Sequence, residues 1–179
     1  VVVRDAVSAR GGGVFRGLAR CTSMDLARLD VSGATLLDSM FRECSSLEVI
    51  DLSSWDTSSV ENFSCMFEGC SSLRELNLAG LDTSRALDLS WMFSGCSALK
   101  TVDVAGWDVH RAESLSAMFR GCTLLEALDL SGWDVSSALY LASMFRDCTA
   151  LTSLDVSTWD VWGALDCSHM FDGCTSLDP

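Results

Sequence analysis

Leu47-Glu48-Val49-Ile50-Asp51-Leu52-Ser53-Ser54-Trp55-Asp56-Thr57-Ser58-Ser59-Val60-Glu61-Asn62-Phe63-Ser64-Cys65-Met66-Phe67-Glu68-Gly69-Cys70 is one unit of a pattern that fills the chain. Ile50 and Leu52 flank Asp51, an alternation that sends two apolar side chains to one side of an extended segment and the carboxylate to the other. Val60, Phe63, Met66 and Phe67 fall at i, i+3, i+6 and i+7, a spacing that predicts a brief helical segment. Asp56 stands where an N-cap belongs and Gly69 where a helix would end. One unit therefore reads as strand, corner, short helix and return.

Outward from this stretch the Met-Phe pair recurs at Met40-Phe41, Met66-Phe67, Met92-Phe93, Met118-Phe119, Met144-Phe145 and Met170-Phe171, with Val14-Phe15 as a variant. The step from Met40 to Met66 is 26 residues, and it does not drift. A unit of that size buries its apolar side only against its neighbours, so the chain is read as a solenoid of about six coils. Leu47, Leu73, Leu99, Leu125, Leu151 and Leu177 form one column of a parallel-sheet core. Met24, Ile50, Leu76, Val102, Leu128 and Leu154 form a second, and Leu26, Leu52, Leu78, Val104, Leu130 and Val156 a third. A fourth holds Trp55, Trp107, Trp133 and Trp159, with Leu29 and Leu81 in the same slot, and is read as packing.

The run Leu47 to Leu73 carries Leu-Asp-Leu-Ser, Trp-Asp-Thr-Ser and Met-Phe-Glu-Gly-Cys-Ser-Ser-Leu, and in these motifs the chain resembles the BspA-like leucine-rich-repeat surface proteins over residues 14–179. The resemblance implies an α/β, right-handed, leucine-rich-repeat-like solenoid with one parallel strand and one helical segment per coil. It also implies a surface or secreted module for binding or adhesion. Val109, Val135 and Val161 depart from the family's Thr.

With 12 Lys and Arg against 25 Asp and Glu, the net charge of −13 argues against nucleic acid and anionic membranes and favours a basic partner or a cation. No apolar stretch approaches the roughly 20 residues that span a bilayer. Val1 to Val3 followed by Arg4 lack the order of a signal peptide, and the absent initiator Met points to a processed or partial chain. An intracellular or organellar assembly is thus the alternative to a surface location. Of nine cysteines, Cys44, Cys70, Cys96, Cys122, Cys148 and Cys174 lie one per coil. They are read as buried free thiols filling the core rather than as metal ligands, which would need Cys-x-x-Cys or Cys/His clusters. His110 and His169 stand outside any nucleophile–base grouping, so no enzyme, no catalytic residue and no cofactor is expected.

Two acidic rows remain. Asp25, Asp51, Asn77, Asp103, Asp129 and Asp155 lie on the strand face opposite the core, among small residues, and are read as a partner-binding floor. Asp30, Asp56, Asp82, Asp108, Asp134 and Asp160 follow the Trp column and are read as structural caps. Like charges about 5 Å apart repel by about 0.8 kcal/mol even in water, so the first row requires solvent, hydrogen bonds or a cation. The reading is a non-catalytic interaction scaffold for a basic protein. Its alternatives are a subunit of a larger complex whose solenoid ends are covered by partners, and a calcium-bridged surface adhesin. Residues 1–13 are read as an N-terminal capping segment, with Val1 to Val3 adding a strand, and 14–179 as the repeat domain.

Overall fold

The computed structural model describes Val7–Ser8 and residues 11–177. Short parallel strands mark the first coils: β1 (Val7–Ser8), β2 (Ser23–Met24), β3 (Leu29–Asp30), β4 (Val49–Asp51) and β5 (Glu75–Asn77). β1 pairs with β3, and β2, β4 and β5 form one sheet in that order, with Ile50 opposite Met24 and Leu76. In the second sheet partners lie 26 positions apart, so each strand meets its own copy and the chain is a solenoid. The expected strand at Val1 to Val3, like Asp178 and Pro179, lies outside the described residues.

The core is the set of columns seen from inside. Phe41, Phe67, Phe93, Phe119 and Phe145 are fully buried, as are Met40, Met66, Met92, Met118 and Met144. Each Phe ring lies on the next, with centroids 5.3 to 5.9 Å apart from Phe15 to Phe171. Trp55, Trp107 and Trp159 close on the side of this stack. Trp133 donates its indole N–H to the Val104 carbonyl at 3.0 Å, whereas the buried indole nitrogens of Trp55 and Trp159 find no acceptor. The cysteine column does more than fill space. Cys70, Cys96, Cys122 and Cys148 each donate a thiol hydrogen bond, at 3.1 to 3.2 Å, to the carbonyl of the Phe 29 residues earlier. None of the nine cysteines forms a disulfide.

Two expectations are corrected here. No helical segment forms among the described residues; the stretch 60–70 is a run of tight turns. Met66, Glu68 and Cys70 donate backbone bonds three residues back, to Phe63, Cys65 and Phe67, but the alternate N–H groups turn to the neighbouring coil. Phe63, Cys65, Phe67 and Gly69 donate to Asp88, Ser90, Met92 and Ser94 of the following coil. A helix would consume those donors internally. Here they build four inter-coil rows, and at every rung the donor belongs to the earlier coil.

The second correction concerns the sheet. Strand pairing through the Ile50 column stops after β5 and returns only as a single bridge, Ala127 with Ser153. The continuous parallel ladder runs instead through Leu36, Asn62, Asp88, Ser114, Tyr140 and Asp166. That column has no fixed residue type because its side chains lie outside the core.

The turns need left-handed backbone at two positions per coil. One carries Gly69, Gly95, Gly121 and Gly173 but also Glu43 and Asp147, near φ +61; the other carries Ser39, Cys65, Trp91, Ala117, Ser143 and His169. A side chain in that conformation costs roughly 1–2 kcal/mol. Gly95→Ala is expected to lower unfolding free energy by about that much in urea titration, and Glu43→Gly to raise it by up to about 1 kcal/mol. Equal midpoints for both variants and the parent would contradict the assigned backbone.

Candidate functional site

All twelve positions of the two acidic rows are exposed. In the first row, Oδ1 of Asp25, Asp51, Asp103, Asp129 and Asp155 accepts the backbone N–H two residues ahead, at 2.9 to 3.3 Å, and Asn77 does the same through its amide oxygen at 3.2 Å. In the second row Asp30, Asp56, Asp82, Asp108, Asp134 and Asp160 make the same contact at 2.9 to 3.2 Å. Both rows therefore hold a corner of each coil, and the division into a binding row and a capping row has no counterpart in their local geometry. What separates them is placement: Asp51 and Asn77 of the first row end β4 and β5, whereas of the second row only Asp30 lies in a strand, β3.

These bonds also fix the charge. The Ser58, Ser131, Ser136 and Ser157 hydroxyls hold the carboxyls of Asp56, Asp129, Asp134 and Asp155 below the ordinary carboxylate range. For Asp51 the backbone N–H of Ser53 has the largest share in the same effect. Burial enters only as a minor opposing cause. The face thus stays anionic well below neutral pH.

Small side chains surround the first row: Ser53, Ala79, Ala105, Ser131 and Ser157 stand two residues after its members. A shallow depression of about 410 Å³ opens at Leu128, Asp129, Ser153, Leu154 and Asp155. A more enclosed cleft of about 280 Å³ lies between Leu76, Asn77 and Leu81 on one coil and Asp103, Gly106 and Trp107 on the next. The sequence held a signal for this cleft that went unread, Leu81 beneath Trp107 in a column otherwise rich in Trp.

The histidines do not join the rows into a reaction centre. His110 Nδ1 lies 2.6 Å from Asp108 Oδ1 and His169 Nδ1 2.6 Å from Asp172 Oδ2, each pair exposed. Among the described residues no three His, Cys, Asp or Glu side chains gather as a metal-ligand set. No helix among them is long and apolar enough to cross a membrane.

On the turn side a different chemistry appears. Arg42 Nε faces Glu68 Oε2 at 3.0 Å without hydrogen-bond alignment, while its Nη2 donates to Oε1 at 3.2 Å. The guanidinium of Arg120 sits 5.5 Å above the ring of Trp91, a bulky residue at φ +60. These residues were legible only as departures from their columns. On the last described coil Trp162, Leu165 and Phe171 are exposed.

A family model described as Mycoplasma protein of unknown function, DUF285, matches residues 12–101 and again 87–179. Comparison with curated proteins finds no match. Among solved structures, a leucine-rich repeat protein of T. pallidum is 19% identical at a TM-score of 0.45, covering 99% of this chain and 66% of that one. TLR13 in its complex with ssRNA13 is 17% identical at 0.40, covering 94% and 31%. A leucine-rich repeat protein from Bacteroides ovatus is 18% identical at 0.28, covering 96% and 69%. The chain thus spans less than two thirds of the length of the first two. The narrower BspA-like likeness rests on the motif at residues 47–73.

Proposed function

The chain belongs to the family described as Mycoplasma protein of unknown function, DUF285, and from that premise we propose that it is a non-catalytic protein-interaction scaffold whose acidic strand face holds a basic partner. One observation carries the reading: a row of exposed, hydrogen-bonded carboxylates, repeated once per coil and bordered by small side chains. Each Asp is already oriented by its corner, so a partner's cation meets fixed charges and little side-chain entropy is lost on contact. The small neighbours let another backbone come close. Long-range attraction from a net charge of −13 would speed the encounter. In this reading Val7–Ser8, paired with β3, belong to the cover of the first coil.

The test exploits Asn77, which keeps the corner bond without the charge. Asp103→Asn combined with Asp129→Asn is expected to weaken binding of a lysine-rich probe peptide about tenfold at low salt while leaving the urea midpoint in place. Reversal of both to Lys is expected to abolish capture. Glu61→Lys with Glu113→Lys, which changes the net charge away from this row as much as that reversal and twice as much as the Asn pair, should have a smaller effect than either. Equal binding by the Asp103/Asp129 variants and the parent would sink the reading.

A further inference from the structure

We propose that the cleft between Leu81 and Trp107 is a docking site for an extended, basic segment of a partner protein, which inserts one apolar side chain between two coils. The inference rests on the acidic-face reading above and specifies what binds there.

Three features mark this step, the first of them shared with the step that follows it. First, the strand ladder ends: β5 pairs with β4 on one side, but Thr101, Val102 and Asp103 bridge to no residue of β5. Among the described residues the backbone N–H and C=O groups of these three make no hydrogen bond. Second, a Cβ built on Gly80 would lie 2.4 Å from the Ser53 carbonyl oxygen of the coil before it, whereas one built on Gly106, a coil later, would meet nothing within 4 Å. Third, the Trp column holds Leu81 where Trp107, Trp133 and Trp159 follow, so the large indole of Trp107 rests above a smaller neighbour. Leu29 beneath Trp55 is a similar step, but there β2 and β4 remain paired and the nearby cavity is smaller, about 180 Å³.

The opening has the character of a peptide site. Its 280 Å³ falls below the roughly 300–1,000 Å³ of pockets that enclose drug-sized ligands, and suits a side chain. Its walls are apolar at Leu76, Leu81 and Trp107 and anionic at Asp103. Unpaired backbone groups beside it offer what an extended chain needs, the mode by which a strand adds to a sheet edge. Charge selects among such chains: Asp103 lines the mouth, and Asp129 and Asp155 continue the row, so a lysine or arginine next to the inserted side chain is favoured over a carboxylate.

The experiment uses the full chain and short fluorescein-labelled peptides read by anisotropy. One alternates lysine and valine around a central leucine; a second carries the same lysines among serines; a third has glutamate for lysine. The first is expected to bind about tenfold or more tightly than the second, the value of burying one leucine, and the third not at all. Leu81→Trp puts in the cleft the residue that four other coils carry, and should reduce the first peptide to the affinity of the second without lowering the thermal midpoint. Asn77→Lys, exposed at the mouth, should weaken both basic peptides. If Leu81→Trp leaves the preference for the apolar peptide intact, the cleft is not the site, although the acidic face stands. If neither basic peptide binds at low salt, both readings fall.

Discussion

Raising the pH from 9 to 10 is expected to lower the stability of this protein steeply, through its buried thiols. Burial pushes the Cys70 and Cys148 thiols up to about 12 from an ordinary value of 9.0. Burial drives Cys96 and Cys122 well above that value too. Each is a donor to a Phe carbonyl, a role that a thiolate cannot fill. The native state therefore keeps four protons that the unfolded chain releases above pH 9. Where the unfolded state binds fewer protons, stability falls as pH rises. Each such group contributes about 1.4 kcal/mol per pH unit above pH 9, so several together make the slope steep. Below pH 9 this stability is fully present. Urea midpoints measured from pH 7 to 10 should be flat and then drop steeply, and Cys96→Ala should make the drop shallower. A curve that stays level through pH 10 would contradict the burial of the cysteine column.

Phe93→Ala is expected to cost about 3–5 kcal/mol, the range for deleting a fully buried aromatic side chain. Phe93 stands mid-stack, 5.6 Å from Phe67, 5.4 Å from Phe119 and 6.1 Å from Trp107, and each aromatic pair adds roughly 0.5–1.5 kcal/mol beyond area burial. Position makes the loss more than local. In a solenoid each coil contacts only its neighbours, so a weak central interface divides the cooperative unit. The variant should unfold in two steps in urea, whereas Phe15→Ala, at a half-buried end of the stack, should lower stability less and keep one step. A single unshifted transition for Phe93→Ala would show that the stack does not couple the coils.

The columns that point inward were legible in the sequence, because burial admits few residue types and the constancy of Phe, Met, Leu and Cys reports it directly. The turns were not. Apolar spacing at Val60, Phe63, Met66 and Phe67 fits a helix, but it fits equally a chain of turns that places the same side chains inside. Left-handed residues decide between them, and glycine marks one of the two positions in most coils while Cys65, Trp91 and Ala117 hide the other. The continuous ladder through Asn62 and Asp88 was invisible for the opposite reason, since its outward side chains are free to vary. For the acidic rows, charge and exposure could be read, but not that Asp51 and Asp56 make the same corner contact. The cleft at Leu81 is a departure of one residue from its column, and only the backbone shows what that departure opens.

Four hydrogen-bond rows on the turn side run from the N–H of each coil to the carbonyl 25 residues ahead, as in Phe67 to Met92 and Phe93 to Met118, while the row from Leu87 to Glu61 runs back. A coil of this protein therefore has a front and a back that are not interchangeable. Duplicating or deleting one whole unit leaves every rung with a correct partner, whereas an insertion of any other size throws four rows out of phase together. Length in such a molecule is quantised: it can grow or shrink by repeats, but between those steps there is no nearly right chain.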